Sequence, residues 1–279
     1  AKERAFQAKV KELIRQANQM KDNAVARAVR ILADVRKEIA ARVAGTEWQA
    51  WRIQELKGAV ERSMQEFAQK YGLDLRDAQR AFWNHGIELV DLPLSQAGVF
   101  AVLPQIDASI LGIMQDFSTD LVTGLAQDAV KKIQQELTMG LLGQKTPFEV
   151  MKAVGLNLDD PSIFKSIAAR AETITRTEAG RVLEMASQAR REAFSKAVPG
   201  LKKRWRHGRH VRKPRPEHVA ADGQVRNVDE PFDVGGEKLM YPRDPAGSAK
   251  NTINCGCFTE PYMESWETAS LEERAAANM

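Results

Sequence analysis

Cysteine and aromatic residues are scarce in this chain: two cysteines, Cys255 and Cys257, and 6% Phe, Trp and Tyr among 279 residues. One residue separates the two cysteines, a span too short for an easy unstrained disulfide. A reduced compartment or a bound metal is therefore the better reading of the pair. No stretch reaches the roughly 18 consecutive apolar residues that a membrane span requires. The nearest approach, Ala97 to Met114, is interrupted by Pro104, Gln105 and Asp107, and no membrane association is expected. The opening Ala-Lys-Glu-Arg is polar at once, so no secretory signal with an apolar core is visible and synthesis in the cytoplasm is expected. A Gly-rich phosphate loop, a G-x-S-x-G elbow and an H-E-x-x-H pair are all missing. These absences leave no support for a metabolic enzyme. No internal repeat and no low-complexity tract occurs. The net charge of +4 is small for a chain with 28% charged residues, so bulk charge does not imply nucleic-acid binding.

What is present is enough apolar sequence, 43%, for real cores, in a length with room for two domains. The pattern up to about Ala189 is helical. Val25, Val29, Leu32, Val35, Ile39 and Val43 recur at spacings of three and four, the signature of one buried helix face. Gly45 is expected to stop that helix and Thr46 to cap the next, whose stripe runs Ile53, Leu56, Val60, Met64, Phe67 and Tyr71 and ends before Gly72. A third helix is expected from Asp74, with a break at Asp91, Pro93 and Ser95. Another run follows through Ile110, Met114, Phe117, Leu121, Leu125, Ile133 and Leu137. Thr146-Pro147-Phe148-Glu149 has the grammar of a capping box, with Pro at the first helical position. After a break at Asp159-Asp160-Pro161, a helix carrying Thr175-Arg176-Thr177-Glu178 is expected to reach about Ser195. Beyond Pro199-Gly200 the chain becomes basic and then rich in Gly, Pro and Asp, as in Pro231-Phe232-Asp233-Val234-Gly235-Gly236, which predicts loops and short strands. The expected fold is α+β. The N-terminal two-thirds is mainly helical, with long amphipathic helices, and a small loop-rich α+β domain with short strands follows.

Two groups of residues could carry chemistry. The basic run includes Lys202, Lys203, Arg204, Arg206, Arg209, Arg212, Lys213 and Arg215, interleaved with Trp205, His207 and His210. Clustered cations with aromatic neighbours can hold phosphates through counterion release and stacking, without sequence specificity. A solvated charged edge is the plainer explanation. The second group is His218 with Cys255 and Cys257. Two thiolates and an imidazole are ligands for Zn2+, the one cofactor these residues suggest, and a small loop-rich domain gains much from such a staple. The one-residue gap between the cysteines is unusual for zinc, and no fourth ligand stands out among His207, His210, Asp222 and Asp244. The alternative is a structural hydrogen bond at His218 and two small buried cysteines. His218 with Glu217 and Asp222 is also a set that a nuclease or hydrolase could use.

The succession of fragments from Gly143 onward is informative. A Thr-Pro-Phe-Glu helix start is followed by Thr-Arg-Thr-Glu within a helix, then Trp205 and Arg215-Pro216-Glu217-His218. Asp222-Gly223-Gln224, Pro231-Phe232, Tyr241-Pro242-Arg243-Asp244-Pro245 and Ile253-Asn254-Cys255-Gly256-Cys257 complete it. This order resembles the phage head morphogenesis domain of the phage Mu F-like and SPP1-type minor head proteins. One departure is that Gly256 stands where that family commonly has an arginine between the cysteines. The resemblance implies a non-enzymatic minor head protein of a tailed bacteriophage. Such a protein would lie at the portal vertex or inside the head in several copies per virion, and would act in assembly and in genome packaging or ejection. Portal protein, major capsid protein or both would be its partners, with non-specific contact to packaged DNA. Residues 1–142 then form a helical part for partner contact, residues 143–262 the morphogenesis domain and residues 263–279 a short tail. Two other classes stay open: a nucleic-acid-binding or nuclease-like protein, and the delivery module of a phage-encoded toxin. Only the short stretch Phe258 to Met279 follows the cysteines, which argues against an attached toxin domain.

Overall fold

A computed structural model of the chain describes residues 2–44, 48–155, 163–208 and 214–264. Four long helices come first: α1 (Lys2–Ala44), α2 (Ala50–Gln96), α3 (Ser109–Leu141) and, after the short α4 (Pro147–Val154), α5 (Ile163–Ala197). The remainder alternates short elements: β1 (Lys202–Arg206), α6 (Pro216–Ala220), β2 (Val225–Asn227), β3 (Phe232–Val234), β4 (Glu237–Leu239), α7 (Ala249–Thr252) and β5 (Phe258–Tyr262). The architecture is α+β, as expected. Among the described residues no helix is long and apolar enough to cross a membrane. The expected stops at Gly45 and Asp159-Asp160-Pro161, and the expected cap at Thr46, lie outside the described residues.

Helix α2 corrects the expected helix break. It runs without interruption through Gly72, Asp74 and Pro93. The buried stripe keeps its phase across the glycine, with Phe67, Tyr71, Leu75, Ala78 and Phe82 all inside. Their burial outweighs the roughly 1 kcal/mol that glycine costs in a helix interior. Pro93 lies in the last turn, where Val90, Leu94 and Ala97 are buried and hold the turn in place. Two predicted stripes also shift. Val29 is 39% exposed, because Ala24, Ala28 and Leu32 occupy the inward side of α1 instead. In α3, Ile110 and Phe117 are exposed, and the inward path runs Leu111, Met114, Gln115, Ser118 and Val122. Its two polar members are accommodated by hydrogen bonds: Gln115 Nε2 donates to Arg76 O at 2.9 Å, and Ser118 Oγ to Met114 O at 2.8 Å. Polar side chains at interior positions disguised the face.

The chain divides into two compact units, one of residues 1–20, 79–111 and 177–279, the other of residues 21–78 and 112–176. Helices α1, α2, α3 and α5 contribute residues to both. In the second unit an apolar core is built by Leu32, Ile39, Ile53, Met64, Phe67, Leu125, Ile133 and Val150, among others. Tyr71, fully buried there, donates its hydroxyl proton to Ala171 O at 2.8 Å. The cap of α4 has the form its sequence predicts. Thr146 Oγ1 accepts from Glu149 N at 3.2 Å, and the Glu149 carboxylate accepts from Thr146 N at 2.7 Å. These bonds hold the Glu149 carboxyl below its ordinary pKa. Thr146→Ala is expected to lower stability by about 1 kcal/mol, read as a lower urea midpoint at constant slope. An unchanged midpoint would mean that the cap is redundant.

The first unit holds the C-terminal elements. Strand β1 pairs antiparallel with β2 and β5 in the order β2-β1-β5, and β3 and β4 form a separate hairpin. Val234 faces Glu237 across that hairpin, so its loop is Gly235-Gly236, with φ of +58° and +83°. Positive φ at both central residues matches the twist of the flanking strands, and glycine adopts it without steric cost. One cluster in this unit gathers Phe6, Val10, Val90, Leu94, Phe194, Leu201 and Val228. A second gathers Trp205, Ala221, Phe232, Val234, Leu239, Cys255 and Cys257. The second cluster surrounds the residues singled out for chemistry.

Candidate metal centre

Alternation along β1 decides the fate of the basic run. In a strand successive side chains point to opposite faces, so Lys203 and Trp205 are buried, whereas Lys202, Arg204 and Arg206 stay partly accessible. Lys203 is therefore not placed to meet a phosphate. Its ammonium donates to Met240 O at 2.8 Å. The outward cations have carboxylate partners: Lys202 pairs with Glu264, Arg204 with Glu260 at 2.7 Å, and Arg206 with Glu260 at 3.7 Å. Arg209 and Arg212 of the same candidate set, and His210, lie outside the described residues.

The fragments from Thr177 onward that carry the family resemblance converge on one small region. Arg215 and Glu217, flanking the start of α6, reach across to the α7 segment: Arg215 Nη2 donates to Ile253 O at 2.6 Å, and Glu217 pairs with Lys250 at 2.7 Å. His218, the residue after Glu217, turns inward and is buried. Asp222 accepts from the His207 backbone amide at 2.8 Å. Gly223 N donates to Trp205 O at 2.9 Å, while Trp205 N donates to Gln224 O at 2.9 Å. The Trp205 ring meets Phe232 edge-on at 5.3 Å and His218 edge-on at 6.1 Å. Asp244 closes the loop before α7, accepting from Met240 N at 2.7 Å and Ala246 N at 2.9 Å. Thr177 on α5 accepts from Asn254 N at 3.1 Å, which fixes a residue held at φ +53° just before the cysteines.

At the centre, His218 Nδ1 lies 3.4 Å from Cys255 Sγ and 3.4 Å from Cys257 Sγ. The three donor atoms lie within 4.8 Å of one another and all three residues are buried. No other His, Cys, Asp or Glu among the described residues joins this group, so His207, Asp222 and Asp244 are not its ligands. The other ring nitrogen, Nε2, faces Asn251 Oδ1 at 3.4 Å, and Asn251 Nδ2 donates to Val234 O at 3.3 Å. Arg243 supports the cysteine loop from behind. Its guanidinium donates to Cys255 O and, at 3.3 Å, to Cys257 O. It lies against Gly180 of α5, where an added Cβ would fall 2.5 Å from Arg243 Nε. Only glycine leaves room for it. The hydrogen bond from Cys257, with further help from His218 and Arg243, holds the Cys255 thiol well below its ordinary pKa despite burial. The same thiol–thiolate contact, with burial, pushes Cys257 up.

A second polar cluster, not anticipated from the sequence, connects α5 with the sheet. Glu184 accepts from Thr259 N at 3.2 Å and from Thr259 Oγ1 at 2.6 Å, and Arg191 Nη2 donates to that same Oγ1 at 2.6 Å. Both ionisable side chains are fully buried. Glu184 Oε1 and Arg191 Nε have no hydrogen-bond partner among the described residues. The available signal was the spacing of Thr177, Gly180, Glu184, Ser187 and Arg191, a helical period written in small and polar residues rather than apolar ones.

Residues 126–260 match the family model described as Phage Mu protein F like protein. Over 136 residues the chain is 36% identical to the uncharacterized protein YqbB of Bacillus subtilis (strain 168), an alignment covering 45% of this chain and 43% of that protein. Over 134 residues it is 28% identical to the NAD(+)--arginine ADP-ribosyltransferase EFV of Enterococcus faecalis (strain ATCC 700802 / V583), covering 47% of this chain and 26% of that protein. The chain thus spans less than half the length of either relative. No solved structure matches.

Proposed function

We propose, from the premise that this chain through residues 126–260 belongs to the Phage Mu protein F-like family of head morphogenesis proteins, that it is a minor head protein of a tailed bacteriophage. In this reading it is made in the host cytoplasm and enters the virion in several copies, at the portal vertex or the inner face of the head. Portal protein, major capsid protein or both are its partners, and it acts in head assembly and in packaging or ejection of the genome. Residues 1–142 supply partner contacts through amphipathic helices, and residues 143–262 form the morphogenesis domain.

The observation that carries the reading is the family match itself. It spans the motif-bearing elements that meet around His218, Cys255 and Cys257. The geometry favours a structural role over a nuclease. Asp222 is engaged with the His207 amide, Glu217 with Lys250, and buried His218 with the thiols, so the three do not converge on one reacting atom. A second reading, the delivery module of a toxin, draws on the alignment with a protein named as an ADP-ribosyltransferase, of which the aligned part is 26%. Mass spectrometry of purified particles of the source phage separates the two readings. The chain is expected in filled heads, and its deletion is expected to reduce their yield. Absence from particles would overturn the head-protein reading.

A further inference from the structure

We propose that His218 Nδ1 and the thiolates of Cys255 and Cys257 bind one Zn2+ ion, which fastens α6 to the loop before β5. Donor spacing is the first argument. Ligands placed tetrahedrally at about 2.3 Å (sulfur) and about 2.0–2.1 Å (nitrogen) from zinc lie roughly 3.6 Å apart, sulfur to nitrogen. The two observed separations are both 3.4 Å. The buried cluster is already close to the shell that the ion requires.

The surroundings of the histidine supply the second argument. A metal-bound imidazole usually donates its other ring N–H to a carbonyl or carboxylate, which fixes the tautomer and the ring orientation. Here Nε2 faces the Asn251 amide oxygen, and that amide is itself oriented by donating to Val234 O. With the proton on Nε2, the Nδ1 lone pair is directed at the two sulfurs. The cysteine loop is equally prearranged: Arg243 holds both cysteine carbonyls, and the Gly208 backbone amide donates to Cys257 Sγ.

Charge balance is compatible with a divalent ion. Two thiolates and a neutral imidazole with Zn2+ make a complex of net charge zero, which a site among Trp205, Phe232, Val234 and Leu239 can hold without an unpaired charge. Among the described residues, three donors fill three of the four tetrahedral positions.

The test uses the full chain, expressed with zinc in the medium and purified reduced without chelator, with metal measured by mass spectrometry. About one zinc per chain is expected, because three donors converge on one position. The double variant Cys255→Ser, Cys257→Ser and the single variant His218→Ala are expected to carry almost none. Should these variants fail to fold, titration of the chelator-stripped wild type with Co2+ under reducing conditions replaces them. A thiolate-to-cobalt charge-transfer band and intense tetrahedral d–d bands are expected, both displaced by Zn2+. Asn251→Ala keeps all three donors and should weaken zinc affinity roughly 10–100-fold. A folded, fully reduced wild type that takes up neither ion overturns the proposal, as does zinc retained unchanged in His218→Ala. Neither result bears on whether the chain is present in phage heads.

Discussion

Arg191→Ala is expected to lower the unfolding free energy by about 3–5 kcal/mol, because it leaves the Glu184 carboxylate buried without its countercharge. Both side chains are fully excluded from solvent. Burial alone raises the Glu184 pKa, and the charge of Arg191 and the bonds from Thr259 work against that shift. Arg191 is itself lowered by burial to about 10, so it remains charged at neutral pH, partly through Glu184. Each member offsets only part of the other's desolvation, since burial still leaves Glu184 raised and Arg191 lowered. Thr259 stands between them, donating to the carboxylate and accepting from the guanidinium. Replacing both with apolar residues, Glu184→Leu with Arg191→Met, should cost far less than the single change, since no unpaired charge remains. Denaturant unfolding followed by circular dichroism measures all three forms. A loss below about 1 kcal/mol in Arg191→Ala would place that guanidinium among weakly contributing surface-type pairs and reject this account.

The contrast between what was legible and what was not follows the same physics. Apolar periodicity disclosed the long helices, and the Thr146 cap was readable because its bonds involve residues three apart in sequence. Continuity through Gly72 was not readable. A glycine lowers helix propensity locally, but the buried stripe that overrides it is recognised only when Leu75, Ala78 and Phe82 are seen to stay in phase. The α5 face toward the sheet was hidden because its interior positions are Gly180, Glu184, Ser187 and Arg191, residue types that sequence reasoning assigns to solvent. In the candidate site, His218, Cys255 and Cys257 were recognisable from side-chain chemistry alone. Asn251 and Arg243 were not, since their roles depend on which backbone and ring atoms the fold brings within reach. The basic run illustrates a further limit. Counting cations ignores strand alternation, which turns Lys203 inward and leaves Lys202, Arg204 and Arg206 partly accessible.

That inward cation leads to the second large expected effect: between pH 7 and 10 the wild-type chain should gain a few kcal/mol of stability relative to a Lys203→Met variant. Lys203 is fully buried on β1, with its ammonium near Met240 O, Gln188 Oε1 at 3.5 Å and the face of Phe232. Burial, reinforced by the like charge of Arg191, lowers its pKa to about 7, against the opposing pull of Glu192, Asp229 and Asp244. In the unfolded chain the same amine titrates near its ordinary value of about 10.4. Between these two values the unfolded state holds a proton that the folded state has released, so unfolding becomes less favourable as pH rises. Below pH 7 both states are protonated and the folded chain carries the whole penalty. Methionine retains the aliphatic bulk and removes the titration, so its profile should lack this rise, and the variant should be at least as stable as wild type at pH 7. The comparison has to be differential and to stop near pH 10. Cys255, Cys257 and Tyr241 also titrate differently in the folded state, and burial raises the Tyr241 phenol, which removes stability at higher pH. Those contributions are shared by both proteins and cancel in the difference. Chemical denaturation of the two proteins at intervals across this range gives the result directly: parallel profiles would mean that the Lys203 ammonium stays solvated or fully compensated in the folded chain.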